Sequence, residues 1–177
     1  MSFKQTPSIP SLTTRGAIKA LEFYEKAFDA KVTMKMPADH DPTKLMHSEM
    51  TIGGGKFFVS DEFPEFGSKS TCSPSAIDNR ATTTIMLEAV SPEDVDKIVE
   101  KAVAAGAKET MPVDDQFWGD RMGMLQDPFG HVWGITSPIS EERTKAAAAK
   151  WDEAKKELKK RPAEDDANVD AKKELKK

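Results

Sequence analysis

Apolar positions along the first 140 residues switch between two periods, and the switch separates helices from strands. From residue 17 to 28, Ile18, Leu21, Phe23, Tyr24, Ala27 and Phe28 recur at helical spacing and make one broad apolar face. A turn at Asp29-Ala30 follows, and residues 31–37 then alternate as a strand does. The pattern returns later. Ser91 and Pro92 read as a helix cap and first position, and Val95, Ile98, Val99, Ala102 and Val103 form the stripe behind them. Ala105-Gly106-Ala107 closes that helix, and residues 108–112 follow as a strand. Both stretches run helix, Ala-Lys, short strand, Met-Pro.

The repeat extends on both sides. A strand precedes each helix, over residues 8–14 and 82–90. After each Met-Pro come two more strands. In the first half these are 46–52 and 56–60, joined by Gly53-Gly54-Gly55, a hairpin signal. In the second they are 121–126 and 131–136, joined by Asp127-Pro128-Phe129-Gly130. Residues 62–80, rich in Ser, Pro and Gly, link the halves. The order predicts an α+β fold of two tandem βαβββ modules, about 7–62 and 81–138, within one domain over 1–138. From about Ser140 the composition shifts to Lys, Glu, Ala and Asp. Residues 139–177 predict a charged helical tail, capped by Ser140, stopped by Pro162 and disordered toward its end, with Trp151 and Leu158 on one face.

Composition narrows the function. The 177 residues carry a net charge of -4, with a pI near 5.5, which argues against a nucleic-acid partner. No signal-peptide pattern or membrane-length apolar run is present, so the expected location is cytoplasmic. A single cysteine, Cys72, excludes an intramolecular disulfide and disfavours a Cys-based zinc site. Gly53-Gly54-Gly55 lacks the helix, lysine and hydroxyl of a phosphate loop.

Six segments carry a family resemblance. They are Ala20-Leu21-Glu22-Phe23-Tyr24-Glu25-Lys26-Ala27-Phe28, Met46-His47-Ser48-Glu49, Ser60-Asp61-Glu62-Phe63-Pro64, Ala102-Val103-Ala104-Ala105-Gly106-Ala107, Phe117-Trp118-Gly119-Asp120-Arg121 and Asp127-Pro128-Phe129-Gly130-His131-Val132-Trp133. In this order they resemble the vicinal oxygen chelate superfamily (glyoxalase, bleomycin resistance, extradiol dioxygenase), and within it the PhnB-like branch. The resemblance implies two modules forming a curved mixed sheet around a cleft that holds a small molecule, often in a homodimer. It also implies metal ligands, usually His, Gln or Glu, on the first and last strand of each module. Carried over position by position, residues 9–11 offer none and Glu49 is the one residue at an expected ligand position. Thr83 or Thr84 stands where a His is expected, and Gly134 where the enzymes carry Glu. No cofactor is therefore expected, a divalent metal being the alternative.

Several residues could do chemistry. His47 and Glu49 lie two apart on a strand and share a face, as a general base with its orienter or as a polar ligand site; a solvent-edge His and a Lys-paired Glu is the other reading. Phe117 and Trp118, costly to expose before a strand, would cover a ligand that Asp120 and Arg121 orient, or else an Asp–Arg pair locks the loop. His131 is expected to be structural and His40 exposed. Met34, Met36, Met46, Met50, Met86, Met122 and Met124 fall on strands and are assigned to the core. Two functions compete: a metal-independent small-molecule-binding protein, and a glyoxalase-like lyase or isomerase using Glu49 and His47, with or without a metal. An interaction module built on the charged tail ranks third.

Overall fold

The computed structural model describes residues 8–66 and 72–158. Module one runs β1 (Ser11–Thr14), α1 (Ala17–Phe28), β2 (Lys31–Ala38), β3 (Asp41–Ile52) and β4 (Gly55–Asp61). Module two repeats it as β5 (Thr84–Glu88), α2 (Pro92–Ala104), β6 (Lys108–Asp115), β7 (Asp120–Gln126) and β8 (Val132–Pro138). Each module forms a four-stranded mixed sheet, in the orders β1-β4-β3-β2 and β5-β8-β7-β6. The first strand of each runs parallel to the last. The two predicted βαβββ units and the α+β class are thus present, as two sheets with no closed barrel. The main difference in boundaries is at β3, which starts at Asp41 inside the stretch read as a polar loop. None of the described helices is long and apolar enough to cross a membrane.

Local chemistry explains the elements. Gly53 and Gly54 both hold positive φ, 55° and 84°, which a two-residue hairpin matched to strand twist requires. At α2, Ser91 Oγ accepts from the Asp94 N–H at 3.3 Å, the expected cap. At α1 the cap comes from elsewhere in the chain. Asp61, at the end of β4, accepts from the N–H groups of Gly16 at 2.7 Å and Ala17 at 3.1 Å, while its other oxygen takes Leu45 N–H at 2.8 Å. A carboxylate at a helix N-terminus answers both the orphan donors and the dipole.

Residues 8–114 and 121–138 make one compact body, and residues 115–120 with 139–158 make a second unit. In the second unit, α3 (Glu141–Leu158) starts as predicted: Arg143 N–H reaches Ser140 Oγ at 3.3 Å. The Leu158 side chain, the stop at Pro162 and the tail beyond it lie outside the described residues.

The core of the body joins the modules. Trp133 on β8 is fully buried, with its ring 4.9 Å from Phe28 and 5.3 Å from Tyr24, both on α1. Asp127, 4% exposed, sits beneath them. It accepts from Tyr24 Oη at 2.8 Å, Trp133 Nε1 at 2.9 Å, and the N–H groups of Phe129 and His131, each at 2.9 Å. Burial first, and then the Asp127 charge, push the Tyr24 hydroxyl well above its ordinary range. Glu62 is a further buried carboxylate, held by Arg15 and by Ser73 N–H at 2.8 Å. Desolvation raises its pKa, but those bonds outweigh it and leave the group below its usual value.

Two outcomes follow. Asp127→Ala strands four donors and should cost about 3–5 kcal/mol, against about 1–2 kcal/mol for Tyr24→Phe, in urea unfolding. A smaller loss for the alanine variant than for the phenylalanine one would mean the carboxylate is not the tie. Glu62, depressed in the folded state, contributes stability above its unfolded pKa of about 4.3. That share is lost as pH falls through the lower folded value, so Glu62→Gln should flatten the acid limb of a Tm-versus-pH curve and leave a shallower slope below about pH 4.

Candidate functional site

Alternation along β3 and β4 gives module one a covered face and an open one. Ser48, Met50 and Ile52 with Phe57 and Val59 are buried on the α1 side; His47, Glu49 and Thr51 with Phe58 and Ser60 are half-buried on the other. Register places Glu49 opposite Phe58, Met34 opposite Glu49 and Met36 opposite His47. Glu49 Oε2 lies 2.7 Å from Lys56 Nζ, and Oε1 lies 3.7 Å from His47 Nε2. The imidazole meets the Phe58 ring edge-on at 4.7 Å, and Lys56 Nζ stands 5.3 Å over the same ring. The hydrogen bond from Lys56 is the first cause that holds the Glu49 carboxyl below its ordinary value. A cation-paired carboxylate of lowered pKa is a weak proton acceptor, and 3.7 Å is too long for a firm imidazole bond. The cluster is better made for gripping a polar group than for moving a proton.

The body also holds a cavity of about 1,100 Å³. Phe28, Ile52 and Phe57 of module one line it, with Ile85, Leu87 and Ile98 of module two. Lys56 belongs to both features, pairing with Glu49 and lining the cavity. The cavity had no single signature in the sequence, because its walls come from five elements and from the residues just before β1.

The model of the Glyoxalase/Bleomycin resistance protein/Dioxygenase superfamily matches residues 10–135. The chain belongs to this superfamily. An uncharacterised protein of Mycobacterium tuberculosis is 32% identical over 142 residues, covering 80% of each chain. Among solved structures, a PhnB protein from Bacillus cereus described as a putative 3-demethylubiquinone-9 3-methyltransferase aligns with TM-score 0.57 and 20% identity, over 75% of this chain and 99% of that one. A fosfomycin resistance protein from Listeria monocytogenes, solved with Mn(II) and sulfate, aligns with TM-score 0.54 and 18% identity, over 81% and 98%.

The metal-ligand positions implied for the superfamily can be tested against the residues present. Glu49 stands on β3, the third strand of its module, and not on the last as expected; counting strands through the Gly-Gly turn moves that position to β4, where Phe58 and Ser60 share the open face. On β1 that face carries Ser11 and Thr13, the register partners of Phe58 and Ser60. In module two, Met86 and not Thr83 or Thr84 lies opposite Gly134. A Cβ on Gly134 would meet Met86 Sδ at 2.4 Å, so the thioether fills the space a ligand side chain would take. Among the described residues no group of three or more His, Cys, Asp or Glu could hold a metal ion. The donor set does not fit a divalent cation, which needs about three protein ligands to compete with water.

The remaining candidates separate. Phe117 stacks on Trp151 of α3 at 5.2 Å and 16°, and meets Trp118 edge-on at 4.9 Å. With Arg143 bridging to Asp115 through two 2.7 Å bonds, these rings hold α3 against the β6–β7 loop. Arg121 instead pairs with Asp96 of α2 through bonds of 2.6 and 2.5 Å. Consecutive strand residues point to opposite faces, so Asp120 and Arg121 do not converge, and the expected Asp–Arg lock is made with Asp96 instead. His131 Nε2 lies 3.1 Å from the Thr13 carbonyl, a structural contact between modules. His40 is exposed and rests against Phe63 and Phe66. Of the strand methionines assigned to the core, Met50 alone is fully buried; Met36, Met46 and Met86 are exposed and Met34, Met122 and Met124 half-buried. Gly123 faces Val99 of α2, which turns Met122 and Met124 to the open side.

Lys56→Met should raise the pH at which the Glu49 side-chain carbon titrates in NMR, since its largest lowering partner is gone. An unchanged titration would mean that Lys56 does not hold the carboxylate.

Proposed function

We propose that the protein binds a small organic molecule in the manner of the glyoxalase and bleomycin-resistance relatives, with no divalent ion at the four family positions. The observation that carries this reading is the Met86 thioether packed over Gly134 beside an apolar cavity of about 1,100 Å³. The volume suits a ligand of drug size, and methionine and phenylalanine walls adapt to apolar shapes. Lys56, paired with Glu49 on the open face, is the polar side chain of the Glu49–His47 cluster that also lines the cavity. A cytoplasmic homodimer belongs to the same reading: members of the family often form dimers, and exposed Cys72 suits a reducing compartment. A lyase or isomerase using Glu49 and His47 is the second reading, favoured by their shared face on β3.

Elemental analysis of protein purified without chelator should find metal well below one ion per chain, and chelator should leave the melting curve unchanged. Stoichiometric metal that Glu49→Ala removes would establish the catalytic reading instead. In a thermal-shift panel of aromatic antibiotics and 2-oxo compounds, a ligand at 100 times its Kd should add about 2.7 kcal/mol. Silence across that panel would overturn small-molecule binding.

A further inference from the structure

The β2–β3 hairpin of module one skips a residue. Met36 lies opposite His47 and the next residue, Pro37, lies opposite Leu45, so Met46 is an extra residue on β3. The burial pattern agrees: Leu45 and Ser48 are buried, and both residues between them are not. A bulge of this kind re-aims a side chain. Here it turns Met46 away from the core, and Met36, Met46 and His40 line one cavity of about 350 Å³. The His40 ring meets Phe66 at 5.4 Å and Phe63 at 5.8 Å, and its Nε2 stands 3.5 Å from Glu65 Oε1. Met36, Met46 and Phe66 are all exposed. Leucines would serve a merely apolar wall as well. Two thioethers beside an imidazole are ligand chemistry.

We infer that Met36, Met46 and His40 form a binding site for a soft monovalent cation, the cuprous or silver ion. Thioether sulfur selects Cu(I), and the imidazole nitrogen brings the donor set to three. Methionine turns about three side-chain bonds, so both sulfurs can close on an ion while the strands stay in place. A ligating imidazole ordinarily gives its other nitrogen to a carboxylate, which assigns Nε2 to Glu65 and Nδ1 to the ion. Phe66, in the same cavity, screens the site from water, and exposed Asp39 adds a negative charge at its rim. A hard divalent ion finds only that one carboxylate in the lining. The site shares no residue with the large cavity, and His47 stays outside it, facing Glu49 and Phe58. It therefore stands independently of the small-molecule reading. All three donors are neutral, so the ion exchanges, and protein purified without added copper should carry none.

Cu(I), added as its weakly held acetonitrile complex, is titrated anaerobically into the full chain by calorimetry at neutral pH. Cys72→Ser is used throughout, because the exposed thiol would bind the ion itself. One equivalent should bind. Silver nitrate then reports the position by NMR of methionine methyl carbons: the Met36 and Met46 signals should shift, and the Met86 signal should not. Met36→Leu, Met46→Leu and His40→Gln should each weaken Cu(I) binding about tenfold or more. Met86→Leu, at a similarly exposed methionine, should leave it unchanged. Leucine is close to methionine in volume, so these variants keep the fold. Zinc sulfate at the same concentration should leave the methyl signals in place. No saturable Cu(I) binding, silver shifts spread alike over all the exposed methionines, or an affinity that survives His40→Gln would overturn the site. None of those results would touch the ligand of the larger cavity, which the thermal-shift panel judges separately.

Discussion

Burying a carboxylate costs several kcal/mol unless donors surround it, and Asp127 meets that condition only when both modules are in place. Two of its donors are backbone N–H groups of its own turn, a third is the indole of Trp133, and the fourth is the Tyr24 hydroxyl from α1 of the other module. The Trp133 ring over Tyr24 and Phe28 keeps water out of the same spot. The relative placement of the modules, and with it the cavity walls from Phe28 and Phe57 on one side and β5 and α2 on the other, depends on this polar knot in an apolar core.

Repetition of the fold did not preserve repetition of the chemistry. Module one keeps ionisable side chains on its open face, with Glu49 clamped between Lys56 and His47 above Phe58. Module two has thioethers there, and a glycine where a ligand side chain would stand. A duplicated scaffold can hold a metal between four equivalent positions only if each copy retains its donors. Here the two copies have diverged toward a polar grip and a soft wall.

Much of the architecture could be read from periodicity. Both helices, the Gly-Gly hairpin and the Ser91 cap are local, and local preferences agreed with the final structure. What escaped depended on partners distant in sequence. The α1 cap is Asp61, more than forty residues away. Arg121 found Asp96 and not its neighbour Asp120, a choice set by which face of β7 meets α2. Glu49 lies on β3, one strand short of the family's ligand strand, because a further strand follows the glycine turn. Most strand methionines lie outside the core, because hydrophobicity alone does not distinguish the covered side of a half-open sheet from the uncovered one.

The Asp61 contacts have a consequence for how module one assembles. The first turn of α1 is closed by a group that arrives with β4, and the same carboxylate fixes β3 through Leu45. Helix, hairpin and last strand therefore share one latch, so α1 gains its full stability only once the chain has looped back through β4. During synthesis the helix leaves the ribosome well before its latch does, which makes late closure and all-or-none opening a built-in property of this half of the protein.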